Sequence, residues 1–272
     1  MLELHCHTTY SDGSLTPEQL VTTAKKRGVR ALAITDHDTL SGIDEGIAFA
    51  GNDLEIVPGV ELSTVYNERS LHILGFYPDQ EKLNPPLGER TQGRWRRAQE
   101  MVDKLTTLGY AIDFPKLKEG QAPGRPHIAT ALREAGYIKT NQEAFERWLG
   151  EGKPAYVQYE KFSAIDGIEL LRKSHAVSVW AHPYLFRGGD VEEVLKVLVE
   201  GGLMGVEVYH PTHSASQVYK LEKMCQEYGL LMTGGSDYHG PLPDGKETTI
   251  LNMLHLSLEL LEPLKEAAKS LS

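Results

Sequence analysis

The stretch LELHCHTTYSDG, Leu2–Gly13, holds two histidines on a short alternating segment and a carboxylate just beyond it. Leu2, Leu4 and Cys6 alternate with Glu3, His5 and His7, so a strand over Leu2–Cys6 turns both imidazoles to one face. A helix follows. Thr16 is a candidate N-cap, Pro17 suits the first helical position, Gln19 completes a capping box and Gly28 supplies the stop. This is half of a βαβ unit, with chemistry-bearing side chains where the strand gives way to the loop.

The unit recurs along the chain. VRALAIT (29–35) reads as a strand ending in Asp36, His37 and Asp38, and a helix over roughly 42–50 leads to LEIVPGVEL (54–62) with Glu61. SLHILGFY (70–77) is a strand carrying His72. After a long middle segment, Ser163 caps a helix, AVSVWAHP (176–183) is a strand ending in His182, and Asp190 caps another helix that ends near Gly201. GVEVYH (205–210) carries Glu207 and ends at His210. Ser214 and Gln217 form a capping box, and Gly229 ends that helix. LLMTGGSDYHG (230–240) ends in Asp237 and His239, and an amphipathic helix covers roughly 257–270.

About seven strands alternating with helices predict a parallel sheet built from crossovers. His, Asp or Glu stands at or just past the C-terminal end of nearly every strand. In a barrel those ends open on one face, where barrel sites lie, whereas an open sheet would scatter them along an edge. The expected fold is α/β, a distorted seven-stranded (β/α) TIM-like barrel. The span from Tyr77 to Ala176 is the exception, because a crossover takes about a dozen to thirty residues and roughly 70–80 here are extra. Helical patterns at about 88–108, 126–135 and 140–149 predict a small helical insertion domain, residues 81–162, over the mouth of a barrel made of 1–80 and 163–272.

Bulk composition sets outer limits. The chain has 272 residues with 40% hydrophobic content, enough for a sizeable core. No apolar run approaches the roughly 18 residues that span a bilayer, and no signal pattern opens the chain, so a cytoplasmic protein without a membrane partner is expected. Two cysteines are too few for a disulfide framework. A net charge of −10 argues against duplex nucleic acid as a partner. Residues 85–160 nevertheless hold 12 Lys+Arg against 10 Asp+Glu, while the remainder holds 16 against 28. The middle segment is the cationic part of an acidic protein.

His5, His7, Asp12, His37, Glu61, His72, His182, Asp237 and His239 are candidate metal ligands. Imidazole and carboxylate without thiolate suits Mn, Fe or Zn in a catalytic site better than a closed structural zinc. One ion cannot use nine ligands, whereas two or three can if a carboxylate bridges. Asp36 and Asp38 flank His37, where one of them could orient an imidazole.

HCHTTYSDG, ITDHD, GVELS, LHILGF, AHP and SDYHG, in that order, resemble the PHP (polymerase and histidinol phosphatase) family over the whole chain. The resemblance implies a distorted (β/α)7 barrel holding three divalent ions, manganese first among the candidates, and phosphoester hydrolysis. By motif it implies one ion on His5, His7, Glu61 and Asp237, a second on Glu61, His72 and His182, and a third on Asp12, His37 and His239. His210 and His213 are candidates for the acid that protonates a leaving alkoxide, and Asp36 joins them among possible catalytic groups.

Arg94 and Arg97 share a helix face, Arg125 and His127 open another helix, and Lys153 follows in GKPAYV. These are candidate phosphate contacts, although salt bridging to Glu100 or Asp103 would account for the first two equally well. The insertion, with RPHIA and GKPAYV, resembles the branch of the family that hydrolyses the 3′-phosphate of nucleoside 3′,5′-bisphosphates and degrades short RNA from its 5′ end. That implies a grip on the 5′-phosphate and a small phosphorylated nucleotide or short single-stranded RNA as substrate. A histidinol-phosphate phosphatase, a polymerase proofreading module and a metal-stabilised binding protein are the alternatives. The first needs no second phosphate grip, the second lacks a polymerase segment here, and an intact ligand set argues against the third.

Overall fold

A computed structural model describes residues 1–114, 116–117, 120–159, 162–242 and 245–271. Seven strands pair in chain order: β1 (Leu2–Glu3), β2 (Ala31–Ile34), β3 (Glu55–Tyr66), β4 (Arg69–Phe76), β5 (Val177–Trp180), β6 (Gly205–Tyr209) and β7 (Leu231–Gly234). Bridges from Cys6 to Tyr238 and from Leu2 to Leu256 bring the two ends of the sheet together, so the barrel is nearly closed. The first strand is shorter than expected, but its line continues through His5, Cys6 and His7, where Cys6 and Tyr238 pair in parallel.

The strand pairing departs from expectation at β4, which is antiparallel to both neighbours. Asn67 and Glu68 have φ of 48° and 60°, and Tyr66 pairs with Arg69. Two consecutive positive-φ residues make a tight hairpin turn whose twist matches the strands it joins. No crossover separates β3 from β4. His72 and Glu61 therefore project from the middle of strands rather than from their ends. His72 lies opposite Ser63, two residues from Glu61 and so on the same face.

The helices that cover the barrel begin where the capping residues predict. Helix α1 (Pro17–Lys26) has the full Thr16–Gln19 box, and α2 spans Ile43–Ala50. Helices α6 (Ala164–Lys173), α7 (Val191–Glu200) and α8 (Ala215–Tyr228) start from Ser163, Asp190 and Ser214, and α9 covers Leu261–Leu271. Among the described residues, no helix is long and apolar enough to cross a membrane.

Between β4 and α6 lie α3 (Gln80–Thr107), α4 (Arg125–Glu134) and α5 (Asn141–Ala144), the last running into a π turn at Phe145–Leu149. Met101, Leu105, Ile128, Leu132, Trp148 and Leu149 form an apolar cluster of their own. Helix α3 starts earlier than expected. Asp79 caps it, and Pro85 and Pro86 sit in its second turn rather than before it. Burial of Leu83 and Leu87 among Ile43, Leu71 and Leu171 of the barrel holds those turns helical despite the lost backbone donors.

Candidate metal centre

Loops past the strand ends deliver some of the ligand candidates with unusual backbone geometry, while Glu61 and His72 come from strand interiors. His182 and Asp237 have φ of 32° and 50°, a left-handed region that non-glycine residues seldom occupy. Such conformations persist where the surroundings hold them. For His182 the restraint is visible, because its backbone N–H donates to Glu207 Oε2 at 2.7 Å.

Glu61 is the hub. Its Oε2 lies 3.3 Å from His5 Nε2, 3.2 Å from His7 Nε2 and 3.2 Å from His37 Nδ1. Its Oε1 lies 2.7 Å from His72 Nδ1 and 3.1 Å from His182 Nε2. Asp237 Oδ1 is 3.4 Å from His5 Nε2 and 3.2 Å from His7 Nε2. Asp12 faces His239 Nε2 at 3.2 Å and His37 Nε2 at 3.8 Å. The donor atoms fall into three overlapping groups: His5, His7, Glu61 and Asp237; His7, Asp12, His37 and His239; and His37, Glu61 and His72. Eight of the nine expected ligands fall in these groups, and His182 joins them only through Glu61 Oε1 at 3.1 Å. The overlap at His7 and His37 is closer than the division by motif implies.

The residues fit divalent cations. Donors bound at about 2.0–2.2 Å around one tetrahedral ion stand roughly 3.4 Å apart, and most of these separations lie near that value. His5 Nε2, His7 Nε2, Asp12 Oδ1 and His37 Nδ1 are buried with no hydrogen bond. Buried polar atoms are rarely left so. The electrostatics agree. Burial alone would push Glu61 up, but the imidazoles packed round it, His72 and His5 among them, hold it well below the usual carboxylate range. His7 is pushed up to about 10: burial opposes the charge, and Asp237 and Glu61 overcome it. These carboxylates draw positive charge into a water-poor pocket. His37 is pushed down to about 3 by burial, which leaves its imidazole neutral and able to ligate.

Glu207 was not among the expected site residues, yet it organises two ligands. Besides holding His182, it takes His5 Nδ1 at 2.9 Å, which turns the bare Nε2 of His5 toward Glu61 and Asp237. A wholly buried carboxylate between Val206 and Val208 is the signal that marks it, since a charge in a strand interior needs a partner. Glu207→Gln will weaken metal binding about 10- to 100-fold. A metal titration of the purified protein checks this, and unchanged affinity would reduce Glu207 to packing.

Asp36 is buried and accepts from the Thr8 N–H at 2.7 Å, the Thr8 hydroxyl at 2.6 Å and the Ser11 hydroxyl at 2.5 Å. Ser11 Oγ also lies 3.3 Å from His7 Nδ1, so Asp36 acts on His7 through the first loop rather than facing a substrate. His210 lies near Asp237, and the His213 ring centre is 5.4 Å from that of His210. His210 Nε2 is 3.8 Å from Asp237 Oδ2. His213 Nδ1 donates to the Val208 carbonyl at 2.9 Å, and its buried Nε2 has no hydrogen bond.

The cations of the insertion are placed unevenly. Arg94 is buried and donates to Asp38 Oδ2 at 2.6 Å and Ser63 Oγ at 2.6 Å, so its ion pair is with Asp38, not Glu100 or Asp103. Arg90 Nε donates to the other oxygen of Asp38 at 2.9 Å. Arg97 donates from Nε to the Val157 carbonyl at 2.7 Å and stacks 3.8 Å from the Tyr159 ring centre. Burial, with Arg125 and Arg94 nearby, pushes the Arg97 guanidinium below its ordinary range. His127 Nδ1 accepts the Gly124 N–H at 3.0 Å, and Lys153 is exposed. Two of these line cavities with metal-ligand candidates: His127 shares one with Asp12 and His239, and Arg125 shares another with His72 and His182. That cavity, about 270 Å³, has His72, His182, Arg125, Arg69 and Arg187 on its walls.

Comparison with known proteins bears on this arrangement. The pattern of the PHP domain family matches residues 3–149. A 5′-3′ exoribonuclease of Haemophilus influenzae is 36% identical over 88% of this chain and 90% of its own. A 3′,5′-nucleoside bisphosphate phosphatase of Chromobacterium violaceum is 30% identical over 90% of each. A crystal structure from Bifidobacterium adolescentis, assigned as a metal-dependent phosphoesterase, superposes with a TM-score of 0.87 at 30% identity over 98% of this chain and 96% of that one.

Proposed function

This chain belongs to the PHP domain family of metal-dependent phosphoesterases, and we propose that it removes the 3′-phosphate of nucleoside 3′,5′-bisphosphates and takes single nucleotides from the 5′ end of short phosphorylated RNA. The observation that carries this reading is the cavity where His72 and His182 face Arg125. A group that hydrolyses any phosphomonoester needs the ligand cluster only. A guanidinium held across from the ligands gives a second phosphate a place to sit, one nucleotide away from the ester being cut.

Bound to the cluster, divalent ions would supply a nucleophilic water at neutral pH and offset charge on the phosphoryl group. The donor set supports manganese, iron or zinc, and three ions would use all nine ligands. His5, His7, Asp12, His37, Glu61, His72, His182, Asp237 and His239 would hold them. Arg125 orients the 5′-phosphate, and Arg97, which shares the Tyr156 ring with it, adds positive charge nearby, whereas Arg94 is already paired with Asp38. His210, 3.8 Å from Asp237, and His213 behind it are the groups that would pass a proton to the departing oxygen.

Incubation with Mn²⁺ and three substrates tests the reading: adenosine 3′,5′-bisphosphate, a 5′-phosphorylated oligoribonucleotide and histidinol phosphate. The first two will turn over, giving inorganic phosphate and 5′-mononucleotide respectively. Cleavage of histidinol phosphate alone would overturn the proposal.

A further inference from the structure

A larger cavity, about 890 Å³, opens from a different part of the ligand array. Asp12 and His239 belong to its wall, whereas His72 and His182 line the Arg125 cavity. No described residue lines both. We infer that this larger cavity holds the nucleotide on the 3′ side of the scissile phosphate when the substrate is RNA. The inference rests on the proposed function and adds the site that distinguishes an RNA strand from a bisphosphate.

Three observations carry it. The volume lies in the range of about 300–1,000 Å³ that accommodates a nucleotide-sized ligand, well beyond the needs of a phosphate. The walls combine Phe145, Pro126 and Leu242 with Thr130, Asn141 and His127. An aromatic ring with a few convergent polar groups suits a base and its ribose. Asp113 and Glu134 line it together with Lys116, so its charged wall is mixed rather than a cationic grip for free phosphate. Finally, Asn141 Oδ1 is buried with no hydrogen bond, while its Nδ2 is held by Thr130 Oγ1 at 3.1 Å. An amide fixed at one end and unsatisfied at the other can meet a base edge or a 2′-hydroxyl.

The π turn joins the two cavities. Phe145 lines the larger one, its ring centre lies 5.5 Å from the Arg125 guanidinium carbon, and the Leu149 carbonyl accepts from Arg125 Nη1 at 3.4 Å. The strand would then cross the ligand cluster with its 5′-phosphate on Arg125 and its next base near Phe145. In the reaction a water oxygen bonds to phosphorus and the bond from phosphorus to O3′ breaks. O3′ leaves with a proton, and the phosphate stays on the nucleotide in the larger cavity.

The test compares kcat/KM for adenosine 3′,5′-bisphosphate and a 5′-phosphorylated trinucleotide in wild type, Asn141→Ala and Phe145→Leu. The variants should lower the trinucleotide value about tenfold relative to the bisphosphate value, mainly through KM, the range expected from losing one base-stacking or edge contact. An unchanged ratio, or equal losses on both substrates, overturns the inference while leaving bisphosphate hydrolysis intact. Wild type that turns over neither substrate removes the proposed function itself. Thr130→Val keeps volume but frees Asn141, and it gives the same readout should Phe145→Leu fail to fold.

Discussion

Glu61→Gln will lower phosphoesterase turnover by about three orders of magnitude, because losing charge at a shared ligand removes several kcal/mol of transition-state stabilisation. Both carboxylate oxygens are engaged: Oε2 meets His5, His7 and His37, while Oε1 meets His72 and His182. An amide keeps the shape and can offer one neutral oxygen, so it cannot serve two ions at once. Metal content per chain, read by elemental mass spectrometry, should fall alongside activity. A second signature separates ligation from folding. Ions that bind only the folded chain stabilise it by about 2.7 kcal/mol at a hundredfold excess over Kd, so a chelator should lower the wild-type Tm by roughly 5–10 °C. The variant should show little further drop with chelator. A variant that keeps full metal content and full activity would refute the hub assignment.

Arg125→Ala should separate two substrates. Turnover of a nucleoside 3′,5′-bisphosphate should fall about 10- to 100-fold, the value of a hydrogen bond to a charged group. Turnover of a simple phosphomonoester, which offers nothing for Arg125 to hold, should change by less than about threefold by the same reasoning. Equal losses would place Arg125 in service of the ligands or the fold. Arg94 is less informative, because Asp38 and Ser63 already occupy it. Removing it would leave the buried Asp38 with Arg90 alone and confound grip with stability.

The gathering of the ligand candidates was legible in the sequence because most of it depends on short local patterns. His5 and His7 share a face by alternation, and capped helices fix where the later strands begin. What failed to show was non-local. The antiparallel course of β4 hangs on Asn67 and Glu68, which lack the glycine that usually advertises such a turn. Glu207 was visible as a residue, but its task depends on His5, 202 positions away. Arg94 read as a phosphate contact because a helix face says nothing about what approaches it, and what approaches is Asp38 from the barrel. The early start of α3 was hidden by Pro85 and Pro86, whose local cost is outweighed by Leu83 and Leu87 in the barrel core.

That helix has a mechanical meaning. Its first turns are seated among barrel side chains through Leu83 and Leu87, its middle is clamped at Arg94 to Asp38, and its far end carries Met101 and Leu105 into the second apolar cluster. At 28 residues it is a strut of about 42 Å. Anchored at both ends, the strut ties the insertion to the barrel, and α4 with Arg125 packs on its far end through Ile128 and Leu132, so the spacing between the Arg125 cavity and the ligand candidates is set by packing. For the proposed reaction the protein acts as a ruler: each cut falls one nucleotide from the gripped end, however long the strand that follows.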